Sequence, residues 1–234
     1  MPAKANSAPE AAPYHHGDLR AALIAAAQAV LAERGLTGFT LRECARRAGV
    51  SHGAPAHHFG DAAGLLRATS EAGFDQLDAH MRAFQQRAGD DPIEHHRATG
   101  LAYIDFAVAY PVLFQLMNRA DPRPQASTDT PAPAGRSAFL RLADSLRAAR
   151  PELAKLPEEA LRAQLLLRWA VVHGLANLIT EGQLDAHRNG LDQRAFAQRV
   201  GAMVLQQMHP DTIAAIPTKA VKSTTKTARG KRGA

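Results

Sequence analysis

Residues 39–61, FTLRECARRAGVSHGAPAHHFGD, constrain this chain more than any other stretch. Thr40 has Glu43 three positions on, the spacing at which a hydroxyl and a carboxylate cap a helix start reciprocally. Ala45 is small where a second helix must cross closely. Gly49 supplies the left-handed residue that ends a helix, and Val50 is an apolar pin in the turn. Ser51 is placed to cap the next helix, and Phe59 to pack back against its partners. Two short helices joined at a steep angle by a Gly-bearing turn make a helix-turn-helix, whose second helix enters the DNA major groove.

The remaining sequence supports a mostly helical protein. The chain has 234 residues, 46% of them hydrophobic and 5% aromatic, and apolar positions recur at helical spacing. The lone Cys44 forms no internal disulfide, so nothing demands an oxidising compartment. MPAKANSAPEAAP has no apolar core like a signal peptide's, and no apolar run approaches the ~20 residues of a membrane span. These features predict a cytoplasmic protein with no membrane partner. Six of the 28 basic residues, and none of the 22 acidic ones, follow Ile216, so the net charge of +6 is a property of the tail.

Read in order, residues 1–13 are expected to be disordered. A first helix runs from a cap at Asp18 to about Arg34 and stops at Gly35. The opening stretch supplies helices two and three, which completes a head over 14–60. Asp61 caps a fourth helix reaching about Ala88. A fifth runs from about Ile93 to Ala109, and a short sixth from Val112 to Asn118. Residues 119–135 carry four prolines and read as a long loop. Further helices follow over about 136–150, from Leu156 to about Thr180 with Pro157 in the first turn, and over about 191–208. The predicted architecture is all-α: a three-helix head, then a six-helix body over 61–209 and a basic disordered tail over 210–234.

Residues 14–66 resemble the DNA-binding head of the tetracycline-repressor (TetR) family of bacterial transcription regulators. The marks are Thr40-Leu41-Arg42, Ala45, Ala48-Gly49-Val50-Ser51, His58-Phe59 and Leu65-Leu66. The body resembles a branch of that family named for a Trp…His-Gly motif, here Trp169, His173 and Gly174. The resemblance implies a homodimer formed through the last two helices, whose heads read a palindromic double-stranded operator. It also implies a cavity in each body for a small-molecule effector. Effector binding moves the fourth helix and releases DNA, and most members repress.

The resemblance places a phosphate contact at Thr40, where a helix N-terminus also favours anions; a plain cap explains the same residue. Arg42 in the first turn reaches toward phosphate or stays solvated. Ser51, His52, Gly53, Ala54, Ala56 and His57 form the exposed part of the third helix. Small Gly and Ala allow close approach to base edges, and His donates to guanine or phosphate. His57 stands where the wider family usually has a phosphate-contacting Tyr. His58 is read equally as a phosphate contact or a packing residue. No long Arg, Gln or Asn is present there, so specificity leans on shape and bridging water. Pro55 is a departure. In a helix capped by Ser51 it falls at the fourth position, where an interior proline costs up to about 3 kcal/mol. The start of that helix is therefore expected to be wound differently.

Tyr103, Phe106, Tyr110, Phe114 and Met117 make an aromatic-rich neighbourhood that lines an effector cavity or fills the core. Trp169 and His173 share a helical face, as core or dimer packing or as a polar handle for an effector. His15-His16, His57-His58 and His95-His96 are adjacent pairs that point to different faces, so no metal site is expected. No glycine-rich phosphate loop, GxSxG elbow or paired acidic motif is present, so neither enzyme activity nor a cofactor is expected.

Overall fold

The computed structural model describes residues 16–119 and 133–208. Among them the chain forms nine α-helices and no strand. Helices α1 (His16–Arg34), α2 (Leu41–Ala48) and α3 (Ala54–Phe59) form the head. The body holds α4 (Ala62–Arg87), α5 (Pro92–Ala109), α6 (Pro111–Met117), α7 (Pro133–Ala149), α8 (Glu158–Thr180) and α9 (Gln193–Gln207). Two 3-10 turns, Pro151–Lys155 and Asp185–His187, connect the last three helices.

Local chemistry explains most boundaries. The Asp61 carboxylate accepts from the Gly64 N–H at 2.7 Å and starts α4, and Asp192 does the same for Ala195 at 2.8 Å in α9. Asp91 caps α5, with Pro92 in its first turn. Gly49 ends α2 at φ +70°, a conformation that strains any residue with a Cβ.

Some expected boundaries move. Helix α1 begins at His16, so Asp18 lies in its first turn rather than ahead of it. Pro157 is the cap residue of α8, one position before the helix, and its carbonyl accepts from Leu161 N–H at 3.0 Å. Helix α9 begins after Asp192 because that side chain caps it. The expected disordered N-terminus over 1–13, most of the proline-rich loop and the basic tail lie outside the described residues.

The head core joins Ile24, Ala27 and Val30 of α1 to Cys44 of α2 and to Leu65 and Ala68 of α4. About two and a half turns further on, Leu77 and Met81 of α4 enter the body core. A single helix therefore floors the head and walls the body. The centre of the body is α5, buried on nearly every side from Thr99 to Ala107 and packed against α4, α7, α8 and α9. Gly100 allows that packing, since a Cβ there would lie 2.7 Å from Leu205 of α9. Each fully buried Leu, Ile or Phe contributes about 1.5–3 kcal/mol by leaving water. No single described helix is long and apolar enough to cross a membrane, and the apolar α5–α6 pair is bent by 111°.

Candidate nucleic-acid interface

Helix α2 begins as its sequence requires. Thr40 is extended (φ −142°), and its hydroxyl accepts from the Glu43 N–H at 3.2 Å. The reciprocal half of the expected capping box does not form. Glu43 instead accepts from Arg46 at 2.9 and 2.6 Å and lies 3.1 Å from Arg34. The Arg46 hydrogen bonds and the charges of Arg34, Arg46 and Arg47, working against burial, bring the Glu43 pKa to about 2. Arg47 donates to Glu33 at 2.7 Å. Three of the head's arginines thus have carboxylate partners. Arg42 is exposed and has no ion pair among the described residues.

The turn closes through Val50 N–H to the Ala45 carbonyl at 3.0 Å and Gly49 N–H to Arg46 at 3.3 Å. The expectation for the next helix is corrected here. Ser51 does not cap it: Ser51 to Gly53 form a turn, with Ala54 N–H on the Ser51 carbonyl at 3.0 Å, and Gly53 is the cap. Helix α3 therefore starts at Ala54, and Pro55 occupies its second position. No intrahelical N–H is needed there, so the interior-proline penalty disappears. The Pro55 ring is buried against the head.

This arrangement leaves Thr40, Arg42, Ser51, His52, Gly53, Ala56 and His57 exposed, while Ala54 and His58 are half-buried. The His57 and His58 rings meet edge-on at 5.4 Å, and Arg20 lies over the Phe59 ring at 5.5 Å. The start of α2 offers backbone N–H groups, a hydroxyl and a guanidinium suited to phosphate. The turn and α3 offer two imidazoles among side chains short enough to let the backbone approach base edges.

Two family models match the chain. "Bacterial regulatory proteins, tetR family" matches residues 23–69, and "Tetracyclin repressor-like, C-terminal domain" matches 96–204. The chain belongs to the TetR family. The second match contains Trp169, His173 and Gly174. The head is that of a helix-turn-helix transcriptional regulator. Among curated relatives, the regulator BetI of Burkholderia thailandensis is 38% identical over 95 residues, 40% of this chain and 49% of that protein. CymR of Pseudomonas putida is 46% identical over 61 residues, 26% of this chain and 30% of that protein. The chain thus spans about half the length, or less, of these relatives. A structure from Rhodococcus sp. RHA1, of unknown function, is 32% identical with a TM-score of 0.65, over 83% of this chain and 97% of that one. A TetR-family regulator from Pectobacterium atrosepticum shares the fold at 22% identity and a TM-score of 0.56, over 83% and 95% of the two chains.

In the body of this TetR-family chain, the residues expected around an effector are partly dispersed. Tyr103, Phe106, Phe114 and Met117 sit in the packed core, and Tyr110 is exposed. The Tyr103 hydroxyl and His173 Nδ1 are hydrogen-bonded at 2.9 Å, and the Trp169 ring lies 5.3 Å from that of His173. Burial pushes the Tyr103 pKa up to about 12 and lowers that of His173. A cavity opens elsewhere, beside His96, Arg97, Arg150 and Arg168. None of these four was singled out as a site residue in the sequence.

Proposed function

We propose that this chain is a ligand-responsive transcriptional repressor of the cytoplasm, acting as a homodimer on a palindromic operator and released by a small-molecule effector. The observation that carries the reading is the run from Ser51 to His57, exposed except at half-buried Ala54 and at the buried Pro55 that anchors it to the head. Thr40 and Arg42 hold phosphates, His52 and His57 reach bases or phosphates, and Gly53, Ala54 and Ala56 admit the groove edge. The relatives are transcription regulators rather than enzymes, which fits a protein that acts by binding.

Two features support dimeric, effector-controlled action. Leu166, Leu167 and Trp169 of α8 and Met203 of α9 are large apolar side chains left exposed on neighbouring helices, a surface suited to a second copy. Helix α4, whose 26 residues span about 39 Å at 1.5 Å per residue, belongs to both cores. A shift of its body end therefore tilts the head, and two half-sites one helical turn apart tolerate little tilt. The test is His57→Ala, titrated against duplex DNA flanking the protein's own gene. Operator affinity falls by at least about 1 kcal/mol; unchanged affinity refutes the contact. Sedimentation at micromolar concentration shows a dimer, and a monomer refutes the architecture.

A further inference from the structure

Where α5 begins and α7 ends, a cavity of about 30 Å³ lies between α5, α7, α8 and α9, inside a void of about 510 Å³ continuous with solvent. Its apolar walls are aliphatic, chiefly Leu142, Leu146, Val172 and Leu205, and its charged lining is Arg97, Arg150 and Arg168. No acidic residue lines it among the described residues.

Arg168 is 3% exposed and has no carboxylate partner among the described residues. Its Nη1 donates to the backbone and side-chain oxygens of Gln164 at 3.2 and 2.8 Å. Its Nε and Nη2 make no hydrogen bond among the described residues. Arg97 adds a buried Nε with no partner among the described residues, while its Nη1 turns outward to Glu94. Arg150 is held at the rim by Glu152. A guanidinium cannot shed its proton to relieve such burial, and an uncompensated buried charge is strongly unfavourable. Unused donors on two arginines that line one cavity are the arrangement that an anion completes.

We propose that this cavity binds a small organic carboxylate with an aliphatic body, the carboxylate held by Arg168 and Arg97. Its chain then runs along the leucine and valine walls. At about 30 Å³ the cavity admits about two water-sized groups, room for the two carboxylate oxygens, and the aliphatic body extends into the void that is continuous with solvent. A planar fork of N–H donors matches a carboxylate in bidentate fashion. Among the described residues no Phe, Tyr or Trp ring lines the cavity to favour a flat ligand, and its one aromatic ring is the His96 imidazole.

The site has a route to the head. Gln85 of α4 donates to Thr99, the neighbour of Gly100, at 2.8 Å. Arg141, the neighbour of Leu142, donates to Asp78 and Gln85 of α4 at 2.6 and 3.3 Å. A ligand that parts α5 from α7 therefore pulls on the helix that floors the head. This regulatory role rests on the repressor reading given above; the carboxylate site does not.

The test is calorimetric titration of the full chain, in a buffer free of carboxylates, with hexanoate, hexanamide and inorganic phosphate. Hexanoate binds at least tenfold more tightly than hexanamide. Arg168→Met weakens hexanoate at least tenfold, and Arg97→Gln, a partly exposed position that does not endanger folding, weakens it severalfold. Equal affinity for the amide, unchanged binding in both variants, a preference for phosphate, or no hexanoate binding overturns the site. Operator release is read separately by footprinting. Hexanoate bound with DNA still protected keeps the site and overturns its regulatory role; a wild-type chain that binds hexanoate but protects no DNA keeps the site and overturns the repressor reading.

Discussion

Asp105 and Arg168 are both charged and both buried in the same helical body, at 1% and 3% exposure, and the fold treats them oppositely. Asp105 on α5 accepts from Arg194 at 2.8 and 2.9 Å, from Gln198 at 3.3 Å, and from His80 at 2.9 Å. Its carboxylate ties α4, α5 and α9 together. Among the described residues Arg168 has only Gln164, one turn back on its own helix. Burial of charge is therefore not by itself a sign of either architecture or function. Partners drawn from other helices make a strut; donors with none make a receptor for something outside the chain.

The largest expected effect tests that contrast directly. Asp105→Ala removes the anion that three helices share and costs about 3 kcal/mol, the low end for breaking a buried pair because Arg194 can turn to solvent. Arg168→Met, which replaces an unpaired buried cation by an apolar chain of similar length, costs less than about 1 kcal/mol or stabilises. Urea unfolding at one fixed protein concentration measures both. Equal losses would break the comparison, since Arg168 would then be structural.

Acid sharpens it. Burial alone would raise the Asp105 pKa, but the hydrogen bonds from Arg194, Gln198 and His80 and the Arg194 charge outweigh it and hold the pKa below 3.8. Its stabilisation is complete above pH 3.8 and is lost as the pH falls through the lower, folded value. His96 beside the cavity behaves differently. Burial first, then the charges of Arg168 from α8 and of Arg150 beyond α7, push its pKa from 6.5 to about 4. Its Nδ1 lies 3.0 Å from the Ser145 hydroxyl, which itself donates to the Leu142 carbonyl, so neutral His96 donates through Nδ1. The unfolded chain takes up a proton first, so stability is complete above pH 6.5 and declines between 6.5 and about 4. His96→Gln flattens the stability profile across that window, whereas Asp105→Asn leaves its slope unchanged there. A slope unaffected by His96→Gln would show that the arginine-lined cavity carries no such strain.

The two regions also differ in how far they could be read from sequence. The head was legible because its signals are local: Thr40 before a helix, Gly49 after it, and an apolar stripe in α1. The misreading of Ser51 as cap came from weighing a favourable cap residue above Pro55. The ring fits the first turn of a helix and fixes its start at Ala54. The Asp105 strut joins positions 25, 89 and 93 residues apart in the chain, so no local pattern announces it. Arg168 did leave a trace. The buried positions of α8 are Leu165, Arg168, Val172, Ala176 and Ile179, an inward stripe at helical spacing with a guanidinium in it. That stripe was masked by Leu166, Leu167 and Trp169, which make the outward face of α8 apolar too. With two apolar faces, periodicity cannot say which one the arginine belongs to.

The smallest expected effect lies in the head. Glu43, like Asp105, gathers several partners, here all arginines: Arg46 at 2.6 Å, Arg34 at 3.1 Å and Arg47 at 3.7 Å. It does so at the surface, where water and salt compete and paired side chains give up entropy. Glu43→Gln leaves the thermal midpoint within error of the wild type. The same change releases Arg34 and Arg46 from their shared carboxylate, so affinity for non-specific duplex rises and its salt dependence steepens by about one phosphate contact. A loss of stability matching that of Asp105→Ala would mean that partner number alone decides what a charge contributes. Desolvation would then have no part in separating the strut at Asp105 from the network at Glu43.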